Sequence, residues 1–134
     1  MSLTFSISHT AEIAHRLTGA ARKHRNVHGH SLLITWTFET ANHGGGVDFG
    51  LVEFALRSWV EEYLDHGFVS DGDDPIGHHL FDQGLKVLYL PVAPTVDALA
   101  VLLADTAREL VPGARLRSVD IQESGTTAAT WSAA

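Results

Sequence analysis

The sequence predicts an α+β domain with a largely antiparallel sheet. Two segments alternate apolar and polar residues with a period of two. Two others carry apolar residues at helical spacing. Their order along the chain is two strands, a helix, a short strand, a helix and two strands.

The opening segment is expected to be extended, because Leu3, Phe5 and Ile7 alternate with polar residues. Residues 31 to 39 give a clearer strand, with Leu32, Ile34, Trp36 and Phe38 on one face. Gly44-Gly45-Gly46 marks a turn. Asp48 is placed to cap a helix whose apolar stripe runs Val52, Leu56, Trp59, Tyr63. The stretch from Ser70 to Gly84 is polar and holds three glycines and a proline, so it reads as a loop. Leu85 to Val92 is a short apolar strand ended by proline. Thr95 can cap a second helix carrying Leu99, Leu102, Leu103 and Leu110, which Pro112-Gly113 stops. Leu116 to Glu123 and Thr126 to Trp131 form the last two strands, split by Gly125.

The 134 residues, 45% of them apolar, suit one globular domain spanning 1–134 with its own core. A net charge of -7 argues against nonspecific binding to nucleic acid, which needs a basic face. There is no cysteine, hence no disulfide and no thiolate chemistry. Met1 to Ser8 lacks the basic-then-apolar pattern of a signal peptide, and no apolar run is long enough to cross a bilayer. The expectation is a soluble cytoplasmic protein.

Nine histidines are many for this length. His28-Gly29-His30 lies at the head of the second strand, where side chains at i and i+2 share a face. Two imidazoles so placed can form two corners of a zinc site. Catalytic zinc takes three protein ligands and keeps one position open. His15 is the natural third ligand if the first strand pairs with the second. The pair alone is a weak signal, since most such pairs are surface or core histidines. His9, His24 and His43 are further candidates.

Six segments, in order along almost the whole chain, resemble the 6-pyruvoyltetrahydropterin synthase and 6-carboxytetrahydropterin synthase family. They are Ala14-His15-Arg16-Leu17, His28-Gly29-His30, Val47-Asp48-Phe49, Leu64-Asp65-His66, Pro94-Thr95, and Gln122-Glu123 with Ser124-Gly125-Thr126. The resemblance implies a T-fold, with two helices on one face of the sheet and subunits joining their sheets into an oligomeric barrel. It implies a homotrimer or homohexamer with active sites between subunits. It implies zinc on His15, His28 and His30, with Asp65 and His66 in proton transfer. Glu123 would anchor the ring of a reduced pterin such as 7,8-dihydroneopterin triphosphate, and Thr95 could add a hydroxyl contact. Arg16, Arg22, Lys23 and Arg25 are candidates for the triphosphate, although a solvated basic loop explains them equally well. Apart from the resemblance, His66 reads as a helix-end histidine favoured by the dipole, and Glu123 as a strand-end charge.

Two departures bear on the reaction. The family's usual cysteine, four residues before the H-G-H pair, is replaced by His24. The connection from His66 to Thr95 is also longer than the family pattern and carries Asp71, Asp73, Asp74, His78 and His79. Three functions are therefore open. One is a pterin lyase using His24 or His66. Another is retro-aldol cleavage to a 6-hydroxymethyl pterin. The third is a non-catalytic paralogue that binds pterin or a purine-like ligand.

Overall fold

Strands β1 (Leu3–His15) and β2 (His28–Thr40) pair antiparallel along their full length, from Leu3↔Thr40 to His15↔His28. They form the centre of a six-stranded sheet in a computed structural model that describes residues 3–40 and 46–134. The expectations for His43, Gly44 and Gly45 lie outside the described residues. The other strands are β3 (Gly67–Asp71), β4 (Val87–Leu90), β5 (Arg115–Gln122) and β6 (Ala128–Ser132). Their order across the sheet is β4-β3-β1-β2-β5-β6. Pairing is antiparallel from β1 through β2 and β5 to β6, as the patterning predicts. On the other side, β3 and β4 add parallel strands.

Alternation decides which face of the sheet is covered. Leu32, Ile34, Trp36 and Phe38 of β2 are all buried, and Ala11 and Ile13 of β1 join them. Helices α2 (Phe49–Trp59) and α4 (Val96–Leu110) pack on this face and share its core. Both caps are as expected: Asp48 accepts the Gly50 and Leu51 amides, and Thr95 accepts the Ala98 amide. The stripe on α2 differs at its end. Val52 and Leu56 are buried, but Val60 and Leu64 follow them inward, whereas Tyr63 is exposed. The helix widens there into a π-helical turn, Val60–Leu64, closed by the Asp65 amide on the Val60 carbonyl. A wider turn keeps residues four apart in phase.

The expected loop from Ser70 to Gly84 is instead largely ordered. β3 reaches Asp71, and a short helix α3 (Pro75–Asp82) follows, capped by Asp74 with proline in its first turn. Gly77 lets α3 press on β3, since a methyl there would sit 2.8 Å from Ser70 Cβ. Composition hid both elements: β3 is buried on both faces and shows no alternation, and α3 is only 8 residues long.

Candidate metal centre and pocket

The twelve-residue connection between β1 and β2 opens where the two strands stop pairing. His15 is the last residue of β1 and sits opposite His28, the first of β2. Cross-strand partners share a face, and so do residues i and i+2 of a strand. His15, His28 and His30 therefore converge on the core face. Their ring centroids lie 4.6, 4.9 and 5.0 Å apart, and each offers a nitrogen within 4.8 Å of the others. Gly29 between them keeps the ladder tight, because a Cβ there would lie 3.2 Å from the Ile13 carbonyl oxygen.

The second nitrogen of two rings is already committed. His15 Nδ1 is 2.7 Å from the Pro94 carbonyl oxygen, and His28 Nδ1 is 2.8 Å from that of Asn26. Each N–H donates to a carbonyl, which leaves Nε2 with its lone pair, the usual arrangement around a metal-binding histidine. His15 Nε2 is buried without a hydrogen-bond partner. So is His30 Nε2, although Glu123 Oε1 lies 2.8 Å away without hydrogen-bond alignment. Burial holds the His15 imidazole below its ordinary pKa despite the Pro94 bond, and His28 and His30 push the same way. A neutral, oriented, unsatisfied imidazole is what a cation needs, so the residues fit a metal such as zinc.

A cleft of about 670 Å³ opens over the triad, walled by the start of α4, the β5–β6 connection and the basic turn α1 (Arg22–Arg25). Glu123 and Thr95, both expected from the sequence, line it. His24 also lines it, exposed on α1 with its ring 6.1 Å from that of His28. Lys23, Asp97 and Thr127 complete its polar lining together with Ser124.

A model of the family described as 6-pyruvoyl tetrahydropterin synthase matches residues 4–134. The chain belongs to that family. A 6-carboxy-5,6,7,8-tetrahydropterin synthase of Rickettsia bellii is 34% identical over 97 residues, covering 69% of this chain and 70% of the relative. The Aquifex aeolicus protein of the same name is 32% identical over 99 residues, 68% of this chain and 60% of the relative. Among solved structures, the Caenorhabditis elegans 6-pyruvoyl tetrahydropterin synthase superposes with a TM-score of 0.68 at 16% identity, covering 100% of this chain and 97% of the other. An uncharacterized protein of Wolinella succinogenes gives 0.83 at 17%, covering 98% of both chains. These structural likenesses establish the fold as the T-fold of this family. The curated relatives make this synthase-family chain an enzyme of the lyase class.

Two expectations for the synthase site differ from its geometry within one chain. Asp65 and His66 do not line the histidine cleft. His66 borders a separate hollow of about 450 Å³ with Glu12, Ala14 and Lys86. The pair is nonetheless firmly built. Asp65 Oδ1 accepts the Glu12 amide at 2.7 Å, Asp65 Oδ2 is 3.0 Å from His66 Nδ1, and the His66 amide donates to the Glu12 carbonyl at 2.7 Å. Burial raises the Asp65 pKa, but the Glu12 amide, His66 and Lys86 outweigh it and hold the carboxyl below its ordinary value. His66 has φ of 62°, uncommon for a residue with a side chain, and is 76% exposed. The second difference concerns Arg16, whose guanidinium is taken up by Asp74 rather than presented to the cleft. The two carbonyl oxygens that orient His15 and His28 were missed from sequence, since backbone acceptors leave no residue signature.

Proposed function

We propose that this chain is a zinc-dependent lyase acting on a reduced pterin such as 7,8-dihydroneopterin triphosphate, by side-chain elimination or rearrangement. The observation that carries the reading is the triad itself: two imidazoles fixed by backbone carbonyls, a buried His15 Nε2 with no hydrogen-bond partner, and a buried His30 Nε2 facing the Glu123 carboxylate at 2.8 Å. His15, His28 and His30 would hold the zinc, which supplies Lewis-acid polarisation of side-chain hydroxyls when bound. The names of the curated relatives support the pterin assignment.

Glu123, at the edge of the cleft, would accept two N–H bonds from the amino-pyrimidine edge of the ring. Thr95 spends a lone pair on the Ala98 amide but keeps its own O–H to donate. His24 stands where the family usually has its cysteine and would serve as base. Proton removal from carbon leads to the synthase outcome. Removal from a hydroxyl, with C–C cleavage, gives a 6-hydroxymethyl product, and the absence of any thiol favours keeping this as the second reading. Asp65 would orient His66 for proton transfer. Because His66 opens onto a different hollow, this role needs the cleft of a neighbouring copy, in a homotrimer or homohexamer. Lys23, in the cleft lining, and Arg25 on the same short turn would meet a phosphate tail. A cytoplasmic location would suit an enzyme of this family.

The test is the product formed from dihydroneopterin triphosphate, with and without zinc, read by mass spectrometry. A zinc-dependent pyruvoyl-, carboxy- or hydroxymethyl-pterin is expected. Turnover of no reduced pterin by the zinc-loaded protein would reject the reading.

A further inference from the structure

Immediately after the buried ligand His15, the chain leaves the sheet. Arg16 is the first residue past the β1–β2 ladder, and strand ends of this kind ordinarily fray. Here the end is tied down from the opposite side. Arg16 Nε donates to Asp74 Oδ2 and Arg16 Nη2 to Asp74 Oδ1, both at 2.7 Å. This two-pronged pairing fixes orientation as well as distance. Asp74 is only 3% exposed and also accepts the Ile76 amide at 2.9 Å, so α3 holds the carboxylate still.

α3 is itself seated on β3 through the close approach of Gly77 to the fully buried Ser70. β3 in turn pairs with the last three residues of β1, Ile13↔Gly67, Ala14↔Phe68 and His15↔Val69. The segment that sequence composition reads as a loop is thus a clamp on the strand end that carries His15.

We propose that Arg16 and Asp74 are a positioning pair for the metal centre, holding the end of β1 so that His15 meets His28 and His30 in ligand geometry. The inference rests on the zinc reading above. It assigns the segment 70–84 a supporting role in metal affinity.

The test uses the full chain, stripped of metal and titrated with zinc against a chromophoric chelator, with thermal melting of the metal-free protein alongside. Arg16→Ala and Asp74→Asn should weaken zinc binding by about 10-fold, the lower end for groups bonded directly to a ligand, because the pair acts through the backbone of β1. Arg16→Lys keeps the charge but loses the fork, and should fall between. It also carries the test if the alanine variant does not fold. Leu116→Ala, a core change at the far end of the sheet from the clamp, should lower the melting temperature and leave zinc affinity close to that of the wild type. Wild-type zinc affinity in folded Arg16→Lys and Asp74→Asn would overturn the pair's role while leaving the metal site standing. An equal loss of zinc affinity in Leu116→Ala would overturn its specificity. Failure of the unaltered protein to bind zinc would remove the metal reading itself.

Discussion

His15 at the end of β1 and Pro94 just before α4 are joined by a 2.7 Å bond from the imidazole Nδ1 to the carbonyl oxygen. One bond thus sets the ring's tautomer, its direction and the distance between the sheet and the helix that walls the cleft. Purified protein should carry about one zinc per chain on this three-histidine arrangement. The His28→Ala, His30→Ala double variant should carry almost none, measured by atomic emission. Full retention would sink the assignment.

Glu123→Gln keeps the size of the side chain but replaces an acceptor with a donor. Pterin affinity should weaken by about 2 kcal/mol or more, the scale of a lost charged hydrogen bond. Fluorescence titration with a pterin checks it, and unchanged affinity would place the ring elsewhere.

His24 is to be replaced by alanine and by cysteine, with both the pyruvoyl-type and hydroxymethyl products assayed. Alanine should abolish most turnover if His24 is the base, since imidazole can take a proton near neutral pH. Cysteine should create or increase the pyruvoyl-type product, because a thiolate near a metal is ready at that pH. Intact activity in the alanine variant would exclude His24 from the chemistry.

Among the described residues, β4 and β6 end the sheet with unpaired edges, and Phe49, Leu51 and Phe54 are exposed on α2. Open edges and apolar surface of this kind are commonly covered by another subunit. Light scattering should give the mass of a trimer or hexamer. A stable monomer at micromolar concentration would reject both the barrel and a site shared between copies.

Arg16 is the largest influence on Asp74 and lowers its carboxyl pKa below the ordinary value, against the effect of burial. A depressed carboxyl stabilises the fold above its unfolded pKa and loses that contribution as pH falls through the folded one. Acid unfolding of the wild-type protein should therefore steepen below about pH 4. Asp74→Ala should be destabilised by about 1–2 kcal/mol at neutral pH, the scale of a lost helix cap, since the Arg16 left behind reaches solvent. It should also show a shallower acid limb in urea melts collected across pH. Parallel acid limbs would show that the pair does not couple to folding.

How far the sequence could be read depended on whether local spacing carried the answer. The i, i+2 histidines and the alternation at Leu32–Phe38 fix one face of β2, and pairing with β1 then brings His15 to it. The caps at Asp48 and Thr95 were legible for the same reason. Sheet order was not. The parallel placement of β3 beside β1 is a long-range choice with no local signature, so the separate hollow beside His66 and the pairing of Arg16 with Asp74 were hidden. Asp74-Pro75 did carry a helix-start signal, masked by the glycines and acids around it.

The cleft is assembled from parts with different tolerances. Its three imidazoles project from backbone that is hydrogen-bonded in the ladder, whereas His24 is exposed on a four-residue turn outside the core. Exchange of the group at position 24 therefore unseats nothing on which folding depends. On the proposed reading, a scaffold divided in this way could change its base, and so its product, while the histidine triad persists unaltered.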